Sequence, residues 1–482
     1  MKNKIYQWHR KLSIIALVPV LFWTISGVMH PLMSNFKPKI ERSFLKPLPL
    51  DKTKVKLELD SILQLHQIPT LINFRFVTLD SEVYYQVKTT AIAPLMYFNA
   101  SDGTELKDGD VHYAKQLARQ FTGKDAGNIT TVTTVVSHDN EYAEIFRLLP
   151  AYRVAFDRAD GLRLYVDTSS DRLGTSVNNA SAGWSAFFRN AHSWSFLDIH
   201  PAIRITIMLF FVLSAFLAAA SGVYVYTIMW QSIRNKQKAK RVPVTRRLHR
   251  GLGIAMSFAL MLFAFSASMH MLPKYTPDDR SSYNNEQVYP INNLQFSVLE
   301  ALDKATDTLE NLSLADFRGQ PYIQQFHLGK NGKSITYTNL ATGDTLADGD
   351  RQYAIYLANL YSGHPQDEVV ETSLITKFGG EYGFVNKRLP VYKVQYKTDG
   401  NERLYIESST GKLAAKVVDS EALSGFIFGY FHKYHFLDFA GKAVRDSIMV
   451  TFALGNFLVA LLGMLMLLKQ PKQKKKKTLL TA

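Results

Sequence analysis

One pattern restricts this chain more than any other: an apolar run with a histidine near each end, written twice at an interval of 240 residues. Trp8-His9-Arg10-Lys11 opens the first copy and Met29-His30-Pro31 closes it; Arg247-Leu248-His249-Arg250 opens the second and Ser268-Met269-His270 closes it. His9 therefore registers with His249, and His30 with His270, without a gap. Each run is close to the roughly 20 residues that carry an α-helix across the hydrocarbon core of a bilayer. Four spans are expected in all, over Leu12 to Met33, Ile203 to Trp230, Leu252 to Leu272 and Ile448 to Leu468. The first run is long for a signal-peptide core and has no small-residue cleavage site before Pro31, so it is expected to remain as an anchor.

Charge orients the spans. Residues 1–11 carry four Lys/Arg, residues 231–250 eight and residues 469–482 six, with no acidic residue among them, against a whole-chain net of +15. The rest of the chain is thus slightly acidic, and the basic character is a topology signal: Lys and Arg gather on the cytoplasmic side of span ends. The expectation is N-in and C-in, with residues 34–200 and 273–444 outside. A nucleic-acid reading of the basic runs is the runner-up for the charge alone, and the flanking spans weigh against it. Cysteine is absent, which excludes disulfides, thiolate metal sites and covalent c-type haem attachment. Any haem is held non-covalently.

The 240-residue register extends beyond the spans. Asp102 to Gly123 aligns with Thr342 to Gly363, Glu141-Tyr142 with Glu381-Tyr382, Leu149-Pro150-Ala151-Tyr152 with Leu389-Pro390-Val391-Tyr392, and Arg163 to Asp167 with Arg403 to Glu407. His192-Ser193-Trp194-Ser195-Phe196-Leu197-Asp198 aligns with His432-Lys433-Tyr434-His435-Phe436-Leu437-Asp438. The chain reads as a tandem duplication of span, outer domain and span, with both halves starting inside. Such parallel repeats are expected to be related by a pseudo-twofold axis along the membrane normal. Within the first outer domain, Leu57 to Leu65 has helical periodicity and Asn73 to Val77, Val83 to Val87 and Leu95 to Asn99 have strand character. A second helix over Val111 to Phe121 precedes strands over Thr130 to Val136, Tyr152 to Phe156 and Arg163 to Asp167, then the turn Thr168-Ser169-Ser170. Helix followed by three strands is thus stated twice per domain.

The stretches Leu164 to Gly174 (LYVDTSSDRLG) and Leu404 to Leu413 (LYIESSTGKL) resemble the PepSY domain, and the flanking histidine-ended runs resemble the PepSY-associated transmembrane helix family. The resemblance covers the whole chain. It implies an α-helical membrane protein with four transmembrane helices and two α+β periplasmic PepSY-like domains, in the bacterial inner membrane. The expected layout is an N-terminus and first span over 1–33, domains over 34–200 and 273–444, spans over 201–230, 251–272 and 445–468, a basic linker over 231–250 and a basic tail over 469–482. The resemblance further implies a link to iron uptake and to haem-containing reductases of ferric siderophores; the PepSY name also carries a suggested peptidase-inhibiting role.

Of thirteen histidines, eight lie in or beside the spans (9, 30, 192, 200, 249, 270, 432, 435) and five in the outer domains (66, 112, 138, 327, 364). Only the first group repeats in register, as His9/His249, His30/His270 and His192/His432. Ionisable residues in a membrane are costly and face an interior site with a partner. Neutral imidazole is a haem-iron ligand, and bis-His coordination needs two such residues facing across a bundle. His9 and His30 are separated by roughly 31 Å of helix at 1.5 Å per residue, so they serve different centres. At the outer face His30, His270, His192 and His432 suffice for two bis-His haem b sites, one per half or two across the interface. At the inner face only His9 and His249 are available; an interfacial Trp-His-Arg-Lys belt explains His9 equally. Gly27 and Ala267 precede their histidines by three positions and leave room for a macrocycle, or serve ordinary small-residue packing. Arg204 and Arg445 open the second and fourth spans as propionate partners or headgroup anchors. His200 and His435 lack registered partners; His435 could replace or supplement His432.

No Walker loop, dinucleotide fingerprint or nucleophile elbow is present, so a built-in NAD or flavin domain is not expected and the electron donor would be a membrane quinol or a separate reductase. The expected function is a haem b oxidoreductase passing electrons outward to a ferric siderophore or other iron chelate. The alternative is a non-enzymatic PepSY membrane protein that binds or regulates a periplasmic peptidase or partner, with the histidines as interfacial anchors. A transporter is a third reading, weakened by the lack of Pro/Gly-broken midplane segments.

Overall fold

A computed structural model describes residues 2–469, apart from 92, 124–126, 199, 232–233, 236–241, 276–282, 284, 295, 306 and 330–331. The basic tail beyond Lys469 and residues 232–233 and 236–241 of the basic linker lie outside the described residues. The chain forms two compact units: residues 1–36, 183–278 and 421–482 make the first, residues 37–182 and 279–420 the second.

The first unit is built on four long helices, α1 (Lys2–Leu32), α5 (Pro201–Ile228), α6 (Val244–Met271) and α10 (Lys442–Leu468). Their candidate membrane spans run Lys4–Leu32, Pro201–Ile228, Val244–Tyr275 and Lys442–Leu468. Each begins before its apolar run, because helical hydrogen bonding satisfies the backbone through the flanking basic residues as the chain enters lipid. Helix α1 packs against α5 and α10, and α6 packs against the same two, so α1 and α6 stand at opposite corners of a four-helix bundle. Buried Ala16, Ala215, Ala218, Ala219, Ala259, Ala264 and Ala453 allow this close approach, as small residues do where lipid offers no hydrophobic drive to association. Two shorter elements complete the unit: the end of α4 (Asn179–His192), and the end of α9 (Asp419–Ile427) with the π-helical turn Phe428–His432 that follows it.

The second unit is α+β. In residues 37–182, α2 (Leu59–Leu65) is followed by an antiparallel sheet of β2 (Asn73–Leu79), β3 (Glu82–Lys88) and β4 (Met96–Asn99). Then α3 (Gly109–Thr122) precedes a sheet of β5 (Ile129–Val135), β6 (Ala151–Phe156), β7 (Arg163–Asp167) and β8 (Arg172–Val177). Residues 279–420 give the same order: α7 (Val298–Lys304), β10 (Leu309–Phe317), β11 (Gln320–Gly329) and β12 (Gly332–Asn339), then α8 (Gly349–Ser362) and β13 (Val369–Ile375), β14 (Val391–Tyr396), β15 (Arg403–Glu407) and β16 (Lys412–Val417). The short strands β1 (Thr70–Leu71) and β9 (Tyr289–Pro290) pair between the two parts. The second sheet of each part has four strands where the sequence suggests three, because the chain resumes pairing after the Thr168-Ser169-Ser170 turn.

The repeated outer motifs hold these sheets together. Glu141 accepts from Arg163 and from Tyr165 (2.8 Å), and Glu381 accepts from Arg403 and from Tyr405 (2.6 Å). Tyr142 stacks on Tyr165 and Tyr382 on Tyr405, each at 4.5 Å. Gly109 and Gly349 open α3 and α8 where a Cβ would come within 2.7 Å of Tyr97 and 2.9 Å of Tyr337, so only glycine fits. One core runs through both parts, joining Ile62, Phe74, Tyr85 and Phe98 to Val298, Leu312 and Ile323.

Candidate functional site

Within the first unit, α1 carries Ser26 and His30 one turn apart, and α6 repeats this with Ser266 and His270. The end of α4 presents Phe188 and His192, and the π-helical turn presents Phe428 and His432. π-Helical turns recur at functional positions because they re-aim side chains. Phe188 packs on His30 (5.0 Å between ring centres) and stacks on His192 (4.6 Å). Phe428 likewise stacks on His270 (4.0 Å) and His432 (4.7 Å). The two sets meet where His192 and His432 lie edge to face, ring centres 6.2 Å apart. Stacking covers the imidazole faces, so any ligation would use an in-plane nitrogen lone pair.

Hydrogen bonding sets which lone pair that is. Ser26 is fully buried and its hydroxyl donates to the Phe22 carbonyl (2.7 Å), so it accepts from the His192 Nδ1–H at 3.0 Å. Ser266 donates to the Leu262 carbonyl (2.7 Å) and accepts from the His432 Nδ1–H at 3.2 Å. Toward the other end of the bundle, His9 Nδ1–H donates to the Ala218 carbonyl (2.9 Å) and His249 Nδ1–H to the Val459 carbonyl (3.0 Å). A carbonyl only accepts, so in all four rings Nδ1 holds the proton and Nε2 keeps its lone pair. This is the arrangement that orients a metal-ligating histidine. Burial pushes His192 down to about 4 and His432 down to about 3, which keeps both rings neutral.

His30, His192, His270 and His432 line one cavity of about 360 Å³. Gly27, Ala215, Ala264 and Ala267 form its small-residue wall, and a Cβ on Gly27 would meet nothing within 4 Å. Arg204, Lys274 and Lys433 give the wall three cations. Arg204 also donates to Asp198 (2.6 Å). Arg445 is turned to Asp438 (2.5 Å) and His435 (2.9 Å) and does not line the cavity. His435 is half-buried and bound to Asp438, and His200 occupies the backbone N-cap position of α5. His9 and His249 do not line the cavity either; each ring faces a glycine of the neighbouring span, and Cβ atoms on Gly222 and Gly463 would come within 3.0 and 3.4 Å of them. In the second unit, His66 and His327 are bound to Gly103 and Thr336.

The residues that sequence reasoning missed are Ser26, Ser266, Phe188, Phe428, Lys274 and Lys433. The serines and phenylalanines had a signal, since both pairs repeat at the 240-residue interval. Among the described residues no three His, Asp or Glu side chains gather as a metal site. The arrangement is one of paired imidazoles around an apolar-walled cavity with a cationic margin.

Compared with known proteins, residues 83–470 match the family described as the PepSY-associated TM region. No curated protein matches the chain.

Proposed function

This chain belongs to the family of the PepSY-associated TM region, and from that premise we propose that it is a bacterial inner-membrane haem b oxidoreductase passing electrons outward to a periplasmic ferric chelate, a ferric siderophore being the leading case. The observation that supports this reading most is the convergence of four imidazoles on one cavity, two of them held by buried serines with Nε2 free to ligate. His192 and His432, with ring centres 6.2 Å apart, would hold one haem iron between the halves. His30 and His270 would hold a second, and His9 with His249 would supply an inner-face pair. Haem, when bound, supplies one-electron transfer.

The remaining roles belong to side chains. Ser26 and Ser266 hold the protons at Nδ1, which orients the rings and raises their basicity as ligands. Arg204, Lys274 and Lys433 take the carboxylates of an anionic group in charge-assisted hydrogen bonds. Phe188 and Phe428 fix the ring planes and exclude water. The two halves act as parallel repeats about an axis normal to the membrane, N-in and C-in, with residues 34–200 and 273–444 as periplasmic domains. Electrons arrive from a membrane quinol or a separate reductase.

The test is a reduced-minus-oxidised spectrum of the purified chain, expected to show a b-type signal that falls in His192→Ala/His432→Ala and disappears when His30, His270, His9 and His249 are replaced as well. A colourless protein made with ample haem would overturn the proposal and favour a non-enzymatic PepSY protein that binds or regulates a periplasmic partner, for which that double variant keeps function.

A further inference from the structure

The second unit has two comparable parts, and at one place they differ chemically. In the first, Gln116 on α3 closes against the β2–β3 turn: its Nε2 donates to the Thr78 carbonyl (2.7 Å) and its Oε1 accepts from Asp80 N–H (3.1 Å). Tyr356 on α8 stands where Gln116 stands, 240 residues on, and Asp316 before the β10–β11 turn stands where Thr78 stands before its own turn. There the structure is open. A cavity of about 490 Å³ is lined by Asp316, Tyr289, Tyr356 and Tyr361, with Val288 and Leu360 at an apolar rim.

Asp316 is buried, and Gly319 N–H fixes its Oδ1 at 3.0 Å. The Tyr289 hydroxyl approaches Oδ2 at 3.2 Å and the Tyr356 hydroxyl approaches Oδ1 at 3.5 Å. Both hydroxyls donate across distances longer than the about 2.7–2.8 Å that O–H···O bonds prefer, so two phenols converge on one carboxylate. The nearby carboxylate of Glu286 is held by Lys88 (2.6 Å) and Lys412 (2.8 Å), and Arg318 lies over the Phe317 ring at 5.1 Å. A carboxylate with two phenols is a hard, all-oxygen donor set. Divalent hard cations leave phenol protonated; a trivalent one displaces its proton.

We infer that this cavity binds ferric iron still carrying a small oxygen chelator, with the Asp316 carboxylate and the Tyr289 and Tyr356 phenolates as ligands. The choice of metal rests on the ferric-reductase reading above. Each phenol that ligates gives its proton to solvent or chelator, so two protons are released per iron and no electron moves on binding.

Gallium(III) nitrilotriacetate, a redox-inert trivalent probe, tests this on the purified full-length chain by near-UV difference absorption for tyrosinate. One gallium per chain and two tyrosinates are expected. Asp316→Asn should weaken binding at least tenfold, and Tyr356→Phe, which removes only a hydroxyl, should halve the tyrosinate amplitude. Gln116→Ala should change nothing, and calcium should not compete. Absence of the tyrosinate signal, or an unchanged titration in Asp316→Asn and Tyr356→Phe, overturns the assignment. Gallium binding needs neither haem nor an electron donor. A chain that binds gallium but lacks a b-type spectrum therefore loses only the reductase reading, and the reverse result loses only this site.

Discussion

The two buried serines of the spans carry more of the site than their size suggests. Ser26 and Ser266 each spend their one proton on a helix carbonyl and so define a histidine tautomer. Removing an outer-shell partner of this kind typically costs 10–100-fold in metal affinity. Ser26→Ala and Ser266→Ala are thus expected to retain a b-type spectrum with haem affinity lowered by about that factor, read by titration into haem-depleted protein; unchanged affinity would deny the serines this role. In the second unit, fully buried Glu407 is ion-paired with Arg172 and Arg388, and these cations hold its carboxyl down at about 2 despite burial. A depressed folded-state value contributes stability that is present above the unfolded carboxyl value, about 4.3, and is lost as pH falls toward 2. The second unit should therefore melt at falling temperature below about pH 4, and Glu407→Gln should cost about 3–5 kcal/mol near neutral pH because two cations lose their partner. Thermal unfolding between pH 3 and 7 checks both. At this scale the sequence was partly legible. It revealed the histidines through their register, but could not reveal Lys274 and Lys433, whose first-half counterparts are Ser34 and Ser193.

Elements were legible where one face is buried. The span helices, α3 and the strands over 73–79 and 82–88 follow their apolar patterns, whereas β8 escaped notice because Arg172 to Val177 has no clean alternation after its turn. Contacts between edges were not legible at all. Strands β2 and β10 are edges of their own sheets, yet the side-chain amides of two asparagines join them. Asn73 accepts from Leu314 N–H (2.9 Å) and donates to its carbonyl (3.2 Å); Asn311 accepts from Phe76 N–H (2.7 Å) and donates to its carbonyl (2.9 Å). An amide side chain thus supplies the two bonds a neighbouring strand would supply, which also blunts two aggregation-prone edges. Helix α7 is clamped similarly from outside: Glu58 accepts from Val298 N–H at its start (2.8 Å) and Lys52 donates to the Leu302 carbonyl at its end (2.8 Å), each charge matching the helix dipole. Asn311→Ala strands two buried backbone groups at about 1–3 kcal/mol each. It is expected to lower the melting temperature of the second unit more than Asn73→Asp, and equal melting curves for native and Asn311→Ala protein would refute the bridge.

For the whole molecule, the absence of cysteine makes topology directly testable. Exposed Val136 in the second unit and exposed Tyr6 at the basic end of α1 can each be replaced by a single cysteine. With N-in and C-in orientation, a membrane-impermeant maleimide added outside the inner membrane should label Val136→Cys and spare Tyr6→Cys; the opposite pattern would invert the proposed orientation. The number of spans and the repeated order of elements were open to sequence reasoning because each rests on periodicity. The meeting of His192 with His432 was not, since it depends on how four spans associate. That meeting has a temporal side. The two rings are separated by 240 residues of chain, and at roughly 5–20 residues per second of synthesis His192 waits on the order of 10–50 s before its counterpart exists. The pair can close only on a nearly finished chain. Cofactor capture at this point would act as a late checkpoint, leaving interrupted products unpigmented and open to proteolysis while completed ones are locked.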